Sequence, residues 1–199
     1  MSAYATAANY KAVVGMTDAT KDAQITLDLL AVSRYIDGKM RRTFNKDTAA
    51  TSRIYIVDTA ADYLWIDDIS TTPTSVEVDT DEDGTYATSL AATDYEMLPR
   101  NAAKEPEARP FTKIKLLPWN DELLEFPANQ RVRVTGLFGW PAVPQAIKTA
   151  TIQITAILRL ETPRATRRIA ELGDTIEASD AAQYIIDKLM HDYQQARPV

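Results

Sequence analysis

The chain has 199 residues, 45% hydrophobic and 25% charged, with a formal net charge of −6, the make-up of an ordinary soluble protein long enough for one cored domain with excursions. It contains no cysteine, which excludes a disulfide framework, a thiolate nucleophile and a cysteine zinc site. The stretch from Met1 to Gly15 has neither a basic n-region nor a long apolar run, and nowhere do about 18 apolar residues run together, so neither a signal peptide nor a membrane span is expected.

Taken in order, the first element is a short helix from Ala7 to Val14. Thr6 can accept an orphan backbone N–H at its start, and Gly15 can supply the left-handed residue that stops it. A longer helix starts near Thr20 or Asp22 and runs to about Arg42. Its apolar positions Ile25, Leu29, Val32, Ile36 and Met40 recur every three or four residues. Leu27, Leu30 and Tyr35 widen that stripe, which suggests contacts on more than one side.

From Thr51 to Thr135 the period is two. Candidate strands are Arg53–Val57, Tyr63–Ile66, Ser75–Asp79, Tyr86–Leu90, Tyr95–Leu98, Lys113–Leu117 and Arg131–Thr135, parted by Asp-, Thr-, Pro- and Gly-rich turns. Asn101 to Pro110 is charged, bears prolines and lacks periodicity, so it reads as an exposed loop. Between Ile54 and Pro99 there is no Lys or Arg against eleven acids, a segment that would repel phosphate.

The run from Arg131 to Leu160 changes periodicity from two to about three and a half within a dozen residues. After the strand come Gly136, Gly139, Trp140, Pro141 and Pro144, and Pro144 suits a first helical turn because the N–H it lacks would have had no partner there. The following helix carries Ile147, Ala150, Ile154, Ile157 and Leu158 on one face, and extends to about Glu161, where Thr162-Pro163 ends it. Arg164, Arg167 and Arg168 sit in a short helical piece. A last helix runs from Ser179 or Asp180 to about Gln195, with Ala182, Ile185, Ile186, Leu189, Met190 and Tyr193 as its apolar stripe; such a terminal helix can dock on its own body or on another subunit.

Few residues carry chemistry. Asp79, Asp81 and Asp83 followed by Gly84 match positions 1, 3, 5 and 6 of a calcium loop, but position 12, which should be a bidentate Glu, is Leu90. An acidic hairpin turn and a weak cation site are both open. Lys113 and Lys115 alternate with apolar residues just as Arg131 and Arg133 do; were those two strands paired, four cations would share a face, either compensated by Glu77 and Asp79 or free to meet a partner or nucleic acid. The arginines at 159, 164, 167 and 168 suit an acidic neighbour, DNA phosphate or a solvated helix end. His191 is the only histidine and has no nucleophile beside it. Trp140 reads as a core anchor. No catalytic residue, metal ligand or cofactor site emerges, although carboxylate-pair chemistry among the 28 acids stays open.

A short strand, then G-x-x-G-W-P-x-x-P (Gly136 to Pro144), then an amphipathic helix resembles the head–tail connector (adaptor, or head-completion) family of tailed bacteriophages. The similarity takes in the first helix ending at Gly15, Met16-Thr17-Asp18, the Lys39-Met40-Arg41-Arg42-Thr43-Phe44 end of the long helix, Ser75-Val76-Glu77-Val78 with its Asp83-to-Tyr86 turn, Thr93-Asp94-Tyr95-Glu96 and Gly139-Trp140-Pro141. The region from Asn101 to Pro127 and the C-terminal arm depart from it.

The resemblance implies an α+β fold, a helical bundle with an inserted antiparallel β subdomain and an amphipathic C-terminal arm. The expected division is 1–50 for the N-terminal helices, 51–135 for the β insertion, 136–162 for the core helix and 163–199 for the arm. It also implies a non-enzymatic virion protein without cofactor: a homo-oligomeric ring, with twelve as the expected order, seated at the neck beneath the portal protein. Such a ring extends the channel for double-stranded DNA, offers a platform to a stopper or other tail-side protein, and passes through host cytoplasm during assembly. On that footing Arg164, Arg167, Arg168, Ile185, Leu189 and Tyr193 are expected to meet portal or a neighbouring subunit, Asp79, Asp81, Glu82 and Asp83 to face the channel, and Gly139, Trp140, Pro141 and Pro144 to hold the corner. A stopper, a tail terminator and a carboxylate-based hydrolase are the alternatives.

Overall fold

The computed structural model describes residues 2–102, 108–119, 123–159 and 178–193. It divides into a helical unit, Met1–Phe44 with Val143–Val199, and a β unit, Asn45–Ala142, inserted between them in sequence. The architecture is α+β, four helices and two antiparallel sheets among the described residues. No helix there is long and apolar enough to cross a membrane.

In the helical unit, α1 (Ala7–Val14) opens on a capping box: Asn9 N donates to Thr6 Oγ1 at 3.1 Å while Thr6 N donates to Asn9 Oδ1 at 3.2 Å. Gly15 closes it with φ 76°. α2 (Asp22–Met40) buries Ile25, Leu29, Val32, Ile36 and Met40, the stripe read from its spacing, and also Ser33, whose hydroxyl donates to Leu29 O at 2.7 Å and accepts from Tyr4 N at 3.0 Å. Of the residues that widen that stripe, Leu27 is 60% and Tyr35 42% exposed while Leu30 is half-buried, and the Tyr35 hydroxyl donates to Gln183 Oε1 at 3.4 Å within the same unit.

α3 (Gln145–Leu158) packs against α1 and α2 and against α4 (Ala178–Tyr193), so it is covered on several sides: Ile147, Ala150, Thr151, Ile152, Ile154, Thr155 and Ala156 are all buried. Thr151 and Thr155 can lie there because their hydroxyls donate at 2.8 Å to the carbonyls of Ile147 and Thr151. Each buried isoleucine contributes about 1.5–3 kcal/mol of gross burial, which offsets the modest helix propensity of so β-branched a segment. Pro144 lies at the N-cap, with φ −58° and ψ 146°, one place before the first turn. Leu158, expected on the core face, is 58% exposed, at the rim of the face that α2 covers.

The β unit comprises β1 (Thr51–Ile56), β2 (Tyr63–Ile69), β3 (Ser75–Asp79), β4 (Thr88–Leu90), β5 (Tyr95–Leu98), β6 (Phe111–Leu116) and β7 (Arg131–Gly136). They form one sheet ordered β1-β7-β3-β4 and another ordered β2-β6-β5. Alternation places Val76, Val78, Leu90, Val132 and Val134 of the first, and Leu64, Ile66, Tyr95, Met97, Ile114 and Leu116 of the second, in one core closed by Phe126 and Phe138. The Asn101–Pro110 segment is not wholly exposed: Ala102 is buried and its carbonyl accepts from Arg109 N at 2.9 Å, whereas residues 103–107 lie outside the described residues.

Candidate functional site

The corner after β7 is held by backbone. Gly139 has φ 96°, a conformation that side-chain-bearing residues rarely adopt, and a Cβ there would lie 2.0 Å from the Asn45 carbonyl oxygen. Gly139 N donates to Asp68 O at 2.7 Å, and the next residue, Trp140, is 3% exposed with its indole N–H donating to Asp68 Oδ2 at 3.1 Å. Trp140 is therefore the expected anchor, with a polar tether that a buried indole requires. Pro141 is half-buried and Pro144 buried.

The acidic stretch divides. Asp81, Glu82 and Asp83 are exposed at the β3–β4 turn, while Asp79 is 0% exposed, so of the four acids expected to face a channel only three are at a surface. Asp79 Oδ2 accepts from Gly84 N at 3.1 Å. Asp83 Oδ1 accepts from Thr85 N and Thr85 Oγ1, each at 2.7 Å, and those bonds hold its carboxyl below the ordinary value. Among the described residues no three His, Asp or Glu side chains are gathered closely enough to hold a metal ion as they stand.

The four-cation strip does not form, because β6 and β7 belong to different sheets. Arg133 instead faces Glu77 across β3 and β7, donating from Nε to Oε2 at 2.9 Å beneath the Tyr86 ring, 4.2 Å from its guanidinium carbon. This is the cross-strand compensation the sequence allowed, and the arginine's hydrogen bond lowers the Glu77 carboxyl. Lys113 and Lys115 lie on β6 opposite Trp65 and Tyr63 of β2. Lys113 Nζ sits 3.6 Å from the Trp65 ring centroid and 5.3 Å from that of Tyr63, while Lys115 pairs with Asp62 at 3.6 Å. These aromatics lie some fifty positions upstream of the lysines, so the period-two Tyr63-x-Trp65 pattern marks their strand in the sequence but not its partner.

In the helical unit, the stripe of α4 is used locally. Ala181, Ala182, Ile186 and Leu189 are buried, Ile185 and Tyr193 half-buried, and Tyr184 is 70% exposed. Tyr193 meets Phe44 edge-on at 5.8 Å between ring centroids, and its carbonyl accepts from Arg42 Nη1 at 2.7 Å. Leu189, expected to meet a partner, is thus covered by its own chain. Arg159 is paired with Asp28 rather than offered to a neighbour. That pair rims a cleft of about 200 Å³ lined also by Ala31, Val32, Thr155 and Leu158. Arg164, Arg167 and Arg168 lie outside the described residues. His191 is exposed beside Asp192, its Nδ1 3.0 Å from Oδ1.

No family model matches the sequence, and no curated protein matches it. Solved structures do match the fold. A chain from the neck of an empty gene transfer agent particle, computed with six-fold symmetry, superposes with a TM-score of 0.55 at 15% identity, over 98% of this chain and 92% of that one. A chain from the virion of a native gene transfer agent particle gives 0.56 at 18% identity, over the same shares. The chain has the fold of these particle components along almost its whole length.

Proposed function

We propose that this chain is a structural protein of the neck of a tailed, phage-like particle, and within the neck the head-to-tail adaptor. The observation that carries the reading is whole-length similarity: helices and β unit together follow chains that belong to a neck and a virion. The copies form a ring, twelve-fold in this reading, in which one patch of each subunit meets a different patch on the next. Portal lies on one side, a stopper or other tail-side protein on the other, and double-stranded DNA passes through the middle. The protein passes through host cytoplasm during assembly and ends in the virion, without an enzymatic role.

Two features of the residues suit this role. Exposed Asp81, Glu82 and Asp83 repel phosphate, so a lumen they faced would let DNA slide without the counterion release that cations would bring. Arg164, Arg167 and Arg168, together with Ile185 and Tyr193 further along the C-terminal segment, are assigned to portal or a neighbouring subunit; Leu189 joins them only if α4 leaves its place. Electron microscopy of full and tailless particles tests the reading, with this chain expected beneath the portal. Replacing Arg167 and Arg168 by Glu is expected to abolish attachment to portal-containing heads while the isolated chain keeps its melting midpoint. Unchanged attachment removes the arginine assignment, and absence of the chain from the neck removes the function.

A further inference from the structure

We infer that β1 and β4, the two edges of the four-stranded sheet, are the two halves of a joint between copies of this chain, β1 of one copy pairing antiparallel with β4 of the next. Resting on the ring reading above, this joint gives each copy a contact in its β unit. β1 is unpaired on one side. Val57 N donates to Gln130 O at 3.0 Å, and the bonding side alternates along an antiparallel strand, so Arg53 and Tyr55 turn their backbone groups to β7 while Ser52, Ile54 and Ile56 turn theirs away. No backbone bond among the described residues meets those three. Two of them also hold large apolar side chains off the core, Ile54 58% and Ile56 66% exposed. Monomers ordinarily blunt such an edge with a proline, a lysine, a bulge or an unpaired inward charge. Thr51–Ile56 has none of these, because its one charge, Arg53, is turned to Asp67 Oδ2 at 2.8 Å and to the Phe138 ring.

The sheet itself says what covers the edge. Its strands alternate in direction through β1-β7-β3-β4, so the two edges run oppositely, and a copy displaced sideways brings its β1 antiparallel to the neighbour's β4 without being turned over. The rows across the sheet match as well. Ile54 lies level with Arg133, Glu77 and Ser89, and the alternation carried through β7 and β3 leaves Thr88 and Leu90 bonding to β3 while Ser89 turns its N–H and C=O outward. Across the joint Ile54 and Ser89 therefore meet with both sets of backbone groups open. Faces agree in the same register: Ser89 is exposed like Ile54, and half-buried Arg53 comes level with buried Leu90. Bulk is complementary too, since Ile54 and Ile56 come opposite Ser89 and, one step before β4, Ala87, both small and exposed. A slip of one residue would set the outward side chains of one copy level with the inward ones of the other. One edge meeting a different edge propagates from copy to copy and can close a ring, whereas β1 against a second β1 stops at a pair and leaves β4 open.

The test uses the isolated full chain, so it stands apart from whether the chain is found in a neck. The sequence has no cysteine, and Ile56→Cys and Ser89→Cys both change exposed positions. Across the joint the two are diagonal neighbours, about 7–8 Å apart and within reach of a short bismaleimide. An equal mixture of the two variants should give a covalent dimer, and the double variant a ladder of higher oligomers, while each single variant alone gives neither. Ile54→Pro, added to the Ile56→Cys chain, removes an N–H that points away from β7. It should keep the melting midpoint, followed by tryptophan fluorescence, and cut the mixed product at least about 10-fold. Should the proline variant unfold, Ile54→Lys is read in its place, with the same loss expected. No dimer in the mixture overturns the proposal. Dimer from Ile56→Cys alone at the level of the mixture overturns it in favour of a β1–β1 pair, and product undiminished by the Ile54 variant overturns it because the contact is then not made by this edge.

Discussion

Replacing Gly139 by alanine should destabilise the β unit by about 3–5 kcal/mol. Two costs combine. A residue with a Cβ held at φ 96° carries backbone strain of about 1–3 kcal/mol. The new methyl would also stand 2.0 Å from Asn45 O and 2.8 Å from its carbonyl carbon, where ordinary contact begins at 3.4 Å, and both are backbone atoms that cannot rotate away. The relief is to part the two strands of chain, which stretches Gly139 N to Asp68 O at 2.7 Å and Asp47 N to Phe138 O at 2.8 Å; each is worth about 0.5–1.5 kcal/mol net. Trp65, Trp119 and Trp140 all lie in the β unit, so urea unfolding followed by tryptophan fluorescence reports on it. Gly84→Ala is the control, because φ is 87° there but nothing lies within 4 Å of the added atom, leaving strain alone at about 1–2 kcal/mol. If Gly139→Ala unfolds within about 1 kcal/mol of Gly84→Ala, the steric part of the reasoning is wrong.

Leu189→Ala should lower the stability of the helical unit by about 2–4 kcal/mol in a melt followed by helical circular dichroism, while Tyr184→Ala, at 70% exposure, should stay within about 0.5 kcal/mol of wild type; equal effects would mean that α4 does not pack as described. Trp140→Phe keeps the apolar filling but loses the indole N–H donated to Asp68, and should cost about 1.5–3 kcal/mol in the same urea assay. The lowered Glu77 carboxyl sets a pH dependence. A depressed pKa in the folded state stabilises above the unfolded value near 4.5, and that contribution is lost as pH falls through the lower folded value. Arg133→Met should therefore be destabilised at pH 6 and converge on wild type near pH 2–3, by under about 1 kcal/mol since both side chains are partly exposed. A gap that persists at low pH refutes the assignment to this pair.

What was legible in the sequence was local. The stripe of α2 could be read because a helix brings positions three and four apart together, and the Thr6 and Gly15 caps because their partners lie within one turn. Strand periodicity was equally plain, with β2 merely running three residues further than expected and β4 starting at Thr88 rather than Tyr86, whose ring serves Arg133 instead. Pairing was not legible. Nothing within Phe111–Leu116 says that its neighbours are β2 and β5 rather than β7, so the sequence alone does not tell that the lysines face Trp65 and Tyr63. Burial of a polar side chain is hidden for the same reason: Asp79 reads as one acid among several until the pairing of β3 with β7, some fifty residues on, places it where it is 0% exposed. Leu158 shows the converse, for its helical angle places it beside the buried face yet it is 58% exposed.

The chain enters and leaves the β unit at one place. Asn45 lies against Gly139, Asp47 bonds Phe138, and Ile69 bridges to Phe138 just inside. A module whose two ends are clasped in this way closes its own loop, so the entropic cost of the excursion falls on the module and grows only slowly with its length. For the helices that flank it, the insert amounts to a short clasp whatever hangs from it. Evolution, or an engineer, could lengthen, trim or exchange that appendage and leave the helical scaffold's own connectivity unstrained, provided the clasp residues are kept.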